Sequence, residues 1–378
     1  MARQIIQDLL AKAAISINGP NPWDISIKND QLFKRVLVDT DMALGESYMD
    51  NWWDCVDLDQ FFYRIFSANL EHKILLHPKF WRNTLIQSTY VILRRFFNYQ
   101  TKHKAKIVGE SHYDIGNDLY QSMLDKRLVY TSAYWEGANS LDEAQEKKLE
   151  LTCQKLYLKP GMTLLDIGCG WGSFAKYAAE KYGVSVVGIT ISKEQMELGQ
   201  DLCRGLPIEF RLMDYRDLLK ENLQFDRIVS LGMFEHVGYK NYSLYMKTVA
   251  HCLKSNGLFL LHSIGTNRST SVTSRWINTY IFPNGQLPSI AQLGAALEGV
   301  FVMEDWHNFG VDYDKTLMAW HRNFNSNWDK LKHKYSERFR RMWNYYLLSS
   351  AAGFRARHAQ LWQLVLSKNG LANGYRRV

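Results

Sequence analysis

Residues 166–172 read Asp166-Ile167-Gly168-Cys169-Gly170-Trp171-Gly172. Glycines at alternate positions let the backbone approach a ligand closely, because glycine has no Cβ in the way and tolerates left-handed dihedrals. The run follows an apolar stretch, MTLLDIG (162–168), and precedes a helical one, SFAKYAAEKYG (173–183). A strand-to-helix loop of this kind suits a ligand in the crevice at the strand's carboxyl end. Taken alone it also fits a dinucleotide fingerprint or a structural turn. The spacing is D-x-G-x-G-x-G rather than G-x-G-x-x-G, and the acid would repel a pyrophosphate. A cationic aminoacyl ligand fits better. The next strand ends at Thr190-Ile191-Ser192-Lys193-Glu194-Gln195, without the acid that usually holds a ribose. Hydroxyl and amide groups of Thr190, Ser192 and above all Gln195 would take that role. A third strand ends at Asp214-Tyr215. Asp214 could accept from an adenine amino group or cap a helix.

The elements that would position these residues alternate. Short apolar runs at 162–168, 184–192, 208–214, 225–236 and 258–264 are separated by helical patterns at 173–183, 193–205 and 242–257. This predicts an α/β fold, a doubly wound parallel sheet with helices on both faces. FVMEDWHNFG (301–310) would close the sheet, and residues 326–369 read as final amphipathic helices. Residues 1–70 mix short helical patterns with aromatic clusters, and 84–97 read as a helix. The polar, basic stretch 99–118 is the expected boundary. It divides the chain into a smaller, mainly helical N-terminal domain (1–105) and an α/β domain (106–378).

The chain is 46% hydrophobic over 378 residues, which excludes a disordered protein. Its net charge of +8 is localised. From His72 to Gly109 there are eight Lys and Arg and not one Asp or Glu, with six aromatic residues interleaved. Such a segment suits a polyanionic surface, either anionic phospholipid or nucleic acid; the plainer alternative is a solvated face. No uncharged apolar stretch approaches the ~20 residues of a membrane span. The start has no long apolar core, so no cleaved secretion signal is expected. Five scattered cysteines without a CxxC pair argue for a reducing compartment and against a disulfide or zinc framework. No metal site is expected.

The Gly-rich segment resembles motif I of the class I S-adenosylmethionine-dependent methyltransferases. HYDIGNDLYQSML (112–124), YTSAYWEG (130–137), LDIGCGWG (165–172), VVGITISKEQ (186–195), DRIVSLGMFEHVG (226–238), LLHSIG (260–265) and IFPNGQLPS (281–289) together resemble the cyclopropane-fatty-acid synthase family. NFGVDYDKTLMAW (308–320) and FRARHAQLWQLV (354–365) extend the likeness to nearly the whole chain. The resemblance implies a Rossmann-like methyltransferase domain. It implies transfer of a methylene group from S-adenosylmethionine to a cis double bond of phospholipid acyl chains, at the membrane. The cofactor set is then Tyr130, Thr131, Asp166, Gly168, Gly170, Gly172, Thr190, Ser192, Gln195, Asp214 and Tyr215.

In this chemistry the alkene attacks the sulfonium methyl, and the resulting cation must lose a proton. The site needs to tolerate a cation, exclude water and hold a base. Glu235 at the end of the fourth strand, His262 in the fifth and Tyr313 in a later loop would converge on one sheet edge. The resemblance implies that they hold a bicarbonate ion as the base. Taken singly, Glu235 could partner a helix cap, His262 could be a core histidine and Tyr313 could be packing. Members usually carry Cys where this chain has Ser132, and many carry Cys at the place of Ser350. Either a covalent cysteine is unnecessary or the protein is impaired; the mechanism needs no enzyme nucleophile, which favours the first. Ser132 could still contribute to an anion site.

The expected setting is cytoplasmic, peripheral at the inner face of a bacterial membrane, with unsaturated phospholipid as partner and no nucleic acid; a homodimer is compatible with it. Alternatives are a lipid methyltransferase giving methyl-branched or hydroxylated chains, or a non-catalytic lipid-surface protein with a relic cofactor site.

Overall fold

The computed structural model describes residues 2–70, 85, 98, 100–101, 116–270 and 274–378. The basic segment 72–109 and the helix expected at 84–97 lie outside them, apart from isolated residues. By compactness the chain forms two units. Unit 1 comprises Met1–Phe97, Ser271–Pro283 and Tyr313–Ala359; unit 2 comprises Asn98–Thr270, Asn284–Asp312 and Gln360–Val378. The domain division at 1–105 and 106–378 stays a proposal.

In unit 1, helices Ala2–Ala11, Gln31–Met49 and Leu58–Ser67 are joined by a two-residue antiparallel pair, β1 (Ser26–Ile27) with β2 (Trp53–Asp54). Helix Glu337–Arg355 packs on Gln31–Met49 and Leu58–Ser67. Large aromatic side chains bury the most apolar surface per residue, and here they form the seam. The Tyr345 ring lies 5.7 Å from Tyr48, 4.9 Å from Phe62 and 4.5 Å from Trp276. Arg355 locks the seam electrostatically, donating to Asp59 at 2.7 Å and Asp314 at 2.9 Å.

Unit 2 is the α/β fold expected from the alternation. Its strands are β3 (Thr163–Ile167), β4 (Ser185–Thr190), β5 (Ile208–Leu212), β6 (Phe225–Leu231), β7 (Leu253–Thr266), β8 (Val302–Asn308) and β9 (Ala359–Ser367). They form one sheet in the order β5-β4-β3-β6-β7-β9-β8. Pairing is parallel from β5 to β7 and antiparallel between β8 and β9. Successive side chains point to opposite faces, so the apolar runs feed two cores. Leu165, Ile167, Ile228, Phe259 and Leu261 belong to one, and Leu164, Val186, Val229, Leu258 and Leu260 to the other. Strand order reverses between β3 and β6. In such sheets the crevice outside the carboxyl ends at this reversal is where ligands bind.

Four sequence readings need correction. The final segment is not helical throughout: after Arg355 the chain enters β9, inserted between β7 and β8. Leu361, Trp362, Leu364, Val365 and Leu366 are all buried, and a strand buried on both faces carries no period-2 signal to separate it from a helix. Helix Tyr242–Cys252 stops before Gly257, because Leu253 already pairs with Phe225 in the sheet. Tyr313 lies in the first turn of helix Val311–Ser326, not in a loop. Glu235 does not end β6; it sits beyond it in a short 3-10 turn, Phe234–His236.

Candidate active site

The Gly-rich loop links β3 to helix Ser173–Tyr182. Gly168 and Cys169 donate their N–H groups to the Ile189 carbonyl at 2.9 and 3.1 Å, which ties the loop to the end of β4. Gly168, Gly170 and Gly172 have φ of 82°, 55° and 78°, the left-handed region that favours glycine. Their surroundings differ. A Cβ on Gly168 would stand 2.6 Å from Met233, and one on Gly172 would stand 2.5 Å from Phe210. Among the described residues other than its chain neighbours, one on Gly170 would meet nothing within 4 Å. The outer two glycines serve packing, and the middle one faces open space.

Asp166 lies within β3, between Gly188 of β4 and Val229 of β6, and is buried. Burial pushes its carboxyl up to about 7, opposed by the Lys148 charge. Lys148 is fully buried on helix Leu141–Lys155, and burial pulls its ammonium down to about 7. It donates to Thr131 Oγ1 at 2.9 Å, while Gln145 of the same helix donates to the Thr131 carbonyl at 2.8 Å. Thr131 is thus held from two sides. Tyr130 is fixed by an aromatic relay in which its ring meets Tyr120 at 5.1 Å and Tyr120 meets Trp171 at 5.0 Å. Trp171 in turn donates from its indole N–H to Asn117 Oδ1 at 3.0 Å.

At the end of β4 the polar residues satisfy one another. Thr190 Oγ1 donates to Gln195 Oε1 at 3.3 Å and accepts from the Ser192 N–H at 3.2 Å. Ser192 Oγ accepts from the Gln195 N–H and caps helix Lys193–Leu202. Asp214 likewise caps the short helix Tyr215–Lys220, accepting from the Arg216 N–H at 2.9 Å. Tyr215 is buried in the core, edge-on to Tyr245.

Past the strand-order reversal the picture changes. Glu235 is buried, and its Oε1 accepts from the Ile264 N–H of β7 at 2.7 Å. Burial pushes this carboxyl from 4.5 up to about 7. Oε2 has no partner among the described residues. His262 lies two residues before Ile264 on β7, about 7 Å along the strand. Burial, with Lys148 and Lys155 nearby, holds its pKa well below the usual value, so the ring is neutral. Its Nδ1 lies 3.4 Å from the Gln363 amide nitrogen, and its Nε2 has no partner among the described residues. Ser132 is buried, and its hydroxyl donates to the Ala133 carbonyl at 3.0 Å. Tyr313 and Ser350 belong to unit 1. Tyr313 stacks on Phe354 at 4.5 Å, and Ser350 is half-buried on helix Glu337–Arg355.

Sequence reading missed Gln145, Lys148, Thr152 and Gln363. A signal for the first three was present. Gln145, Lys148 and Thr152 fall at i, i+3 and i+7 of a helix whose buried side also carries Ala144, Leu149 and Cys153. A polar stripe on an apolar face is the informative deviation. All five cysteines are buried and unpaired. Among the described residues no group of three or more His, Cys, Asp and Glu could hold a metal ion.

The model of the mycolic acid cyclopropane synthetase family matches residues 100–364. The cyclopropane-fatty-acyl-phospholipid synthase of Escherichia coli strain K12 is 52% identical over 373 residues, 99% of this chain and 95% of that one. The solved cyclopropane synthase MmaA2 from Mycobacterium tuberculosis is 30% identical, covering 70% of this chain and 98% of that one, with a TM-score of 0.65. The mycolic acid cyclopropane synthase CmaA1, solved with SAH and CTAB, is 32% identical with the same coverage and TM-score. The Gly-rich loop at the strand-order reversal and these matches lead to one conclusion: the chain belongs to the mycolic acid cyclopropane synthetase family and is an S-adenosylmethionine-dependent methyltransferase.

Proposed function

We propose that the protein transfers a methylene group from S-adenosylmethionine to the cis double bond of unsaturated acyl chains in membrane phospholipids, giving cyclopropane fatty acids and S-adenosylhomocysteine. The observation that carries this reading is the likeness to the Escherichia coli phospholipid enzyme over 99% of the chain. The open space at Gly170 fits a bound S-adenosylmethionine, which supplies the methyl group. Tyr130, Thr131, Asp166, Thr190, Ser192, Gln195, Asp214 and Tyr215 are its proposed neighbours.

The alkene takes the methyl and becomes a cation; the ring closes when a proton leaves the transferred carbon. Glu235 and His262 would serve that second step. The Ile264 N–H occupies Glu235 Oε1, so a proton on this carboxyl belongs on Oε2. His262 is neutral and has Nε2 free of protein partners among the described residues. A protonated Oε2 and an Nε2 bearing the ring proton would both donate to an anion. A bicarbonate held there would supply the base. Tyr313 joins the set on its sequence motif, and Ser132 as a neighbouring hydroxyl; Ser350 is not needed as a nucleophile. Burial keeps competing water from the cation.

The first 105 residues, with the basic segment at 72–109, would dock on the anionic inner face of the cell membrane from the cytoplasm. Among the described residues no helix is long and apolar enough to cross a membrane. Unsaturated phospholipid vesicles with labelled S-adenosylmethionine, followed by fatty-acid mass analysis, test the reaction. Chains heavier by one CH2 and lacking the double bond are expected; a methyl-branched or hydroxylated product overturns the cyclopropane assignment. Removing carbon dioxide should slow turnover without weakening cofactor binding. Unchanged turnover removes bicarbonate from the reading.

A further inference from the structure

We infer that Gln363 and Thr152 are positioning residues that fix the tautomer of His262, keeping its proton on Nε2. The inference rests on the proposed role of His262 in proton removal. It begins with Thr152, buried on helix Leu141–Lys155, whose hydroxyl donates to the Lys148 carbonyl one turn back at 2.7 Å. A hydroxyl has a single proton, so toward any other group Thr152 Oγ1 can only accept. Gln363 of β9 places its amide nitrogen 3.2 Å from that oxygen. The amide is therefore oriented with its NH2 toward Thr152; the flipped amide would set two acceptors face to face. The same NH2 lies 3.4 Å from His262 Nδ1. A donor facing Nδ1 makes that nitrogen the acceptor, so the single proton of the neutral ring sits on Nε2.

The chain of commitments runs from a helix carbonyl, through Thr152 and Gln363, to His262. All of these side chains are buried. Its output is an N–H donor at the nitrogen that lacks a protein partner among the described residues. The opposite tautomer would present a lone pair there and would repel an anion. The arrangement explains why a glutamine and a threonine stand buried where apolar residues would pack as well: each completes a hydrogen bond that decides the next.

The test uses the full-length protein as wild type, Gln363→Met, Thr152→Val, Thr152→Ser and His262→Asn. Turnover on unsaturated phospholipid vesicles, S-adenosylmethionine affinity by calorimetry and thermal midpoint are measured for each. Nitrogen-15 spectra of histidine-labelled protein report the tautomer, with the His262 signals assigned by their loss in His262→Asn. The wild type should show Nε2 protonated and Nδ1 bare. Gln363→Met should mix the tautomers and lower kcat about tenfold or more at unchanged cofactor affinity. Thr152→Val should move both readouts in the same direction by less, and Thr152→Ser should restore them. If Gln363→Met does not fold, the Thr152→Val and Thr152→Ser pair decides alone. A wild-type proton on Nδ1, or unaltered tautomer and kcat in the folded variants, overturns the inference. If His262→Asn is inactive while Gln363→Met is fully active, only the positioning role falls. If His262→Asn itself turns over normally, the proposed proton-removal site falls with it.

Discussion

On the β3–β4 side of unit 2, Thr190, Ser192 and Gln195 hydrogen-bond one another, and Ser192 and Asp214 cap short helices. On the β6–β7 side, Glu235 Oε2 and His262 Nε2 are buried with no partner among the described residues. Leaving a buried polar atom unpaired costs about 1–3 kcal/mol. On the proposed reading, Glu235 Oε2 and His262 Nε2 carry this cost because they serve the proton-removal step; Tyr215 on the cofactor side also keeps a buried hydroxyl without a hydrogen bond among the described residues. The comparison separates two ways of building a site. On the proposed reading, residues beside the large, many-contact ligand are already hydrogen-bonded to one another, with open space at Gly170 among the described residues. Beside the small charged or reacting group, the proposed residues keep bonding capacity unfilled.

The sharpest way to break this comparison is to fill the opening. Gly170→Val places a β-branched side chain at φ 55°, where a Cβ meets no described residue within 4 Å apart from chain neighbours. S-adenosylmethionine binding should be abolished in calorimetry. Gly170→Ala adds only a Cβ and costs about 1–2 kcal/mol of backbone strain. It should fold and still bind far more weakly. Normal affinity in a folded Gly170→Ala protein means the opening is not where the ligand lies. Among the residues proposed for proton removal, Glu235→Gln and Tyr313→Phe should each lower turnover by about a thousandfold, in the range for a lost proton-transfer group, with cofactor affinity unchanged. Near-normal turnover of both variants would move the proton-removal site elsewhere.

The unfilled side should also show in pH dependence. Burial raises the Glu235 carboxyl from 4.5 to about 7. Below pH 4.5 both folded and unfolded chains hold this proton. Between 4.5 and 7 the unfolded chain loses it while the folded one keeps it, so stability falls as pH rises. Above 7 both are ionised and the loss levels off, on the order of 3 kcal/mol in total. Glu235→Gln has no such proton. The unfolding free energy of wild type relative to Glu235→Gln should therefore decline from pH 4.5 to 7. Parallel curves would mean that the folded carboxyl titrates normally.

Legibility in the sequence followed the same division. The Gly-rich loop was readable because local spacing encodes it, glycines at alternate positions, and capping was one of the two readings the sequence offered for Asp214; the capping role of Ser192 was not read. The alternation from 163 to 266 likewise announced the sheet. β9 was not readable, because Leu361, Trp362, Leu364 and Val365 are apolar on both strand faces and mimic a buried helix. Gln363 was hidden for the same reason: its partners Thr152 and His262 are separated from it by 211 and 101 positions. Lys148 and Thr152 could have been found from the polar stripe they form on a buried helix face. Pairings that topology alone creates leave no mark in local spacing.

The smallest effect sharpens the comparison most, because it asks whether a frame residue also touches the ligand. Ser192 caps helix Lys193–Leu202, and its hydroxyl accepts from the Gln195 N–H at 3.3 Å. Ser192→Ala removes that acceptor and should cost about 1 kcal/mol of stability, whether or not the cofactor is present. If Ser192 serves only the frame, the destabilisation is the same with and without saturating S-adenosylmethionine, and calorimetric affinity is unchanged. If it also contacts the ligand, the thermal shift produced by the cofactor shrinks and affinity drops with it. Ser192→Asp restores a capping acceptor and adds a carboxylate where a ribose-holding acid usually stands. It should recover the stability; recovery of stability without recovery of affinity would place the Ser192 hydroxyl itself against the ligand. A Ser192→Ala protein with unchanged stability would show that the helix start is held by something other than its cap, and the self-satisfied frame on the β3–β4 side would have to be redrawn.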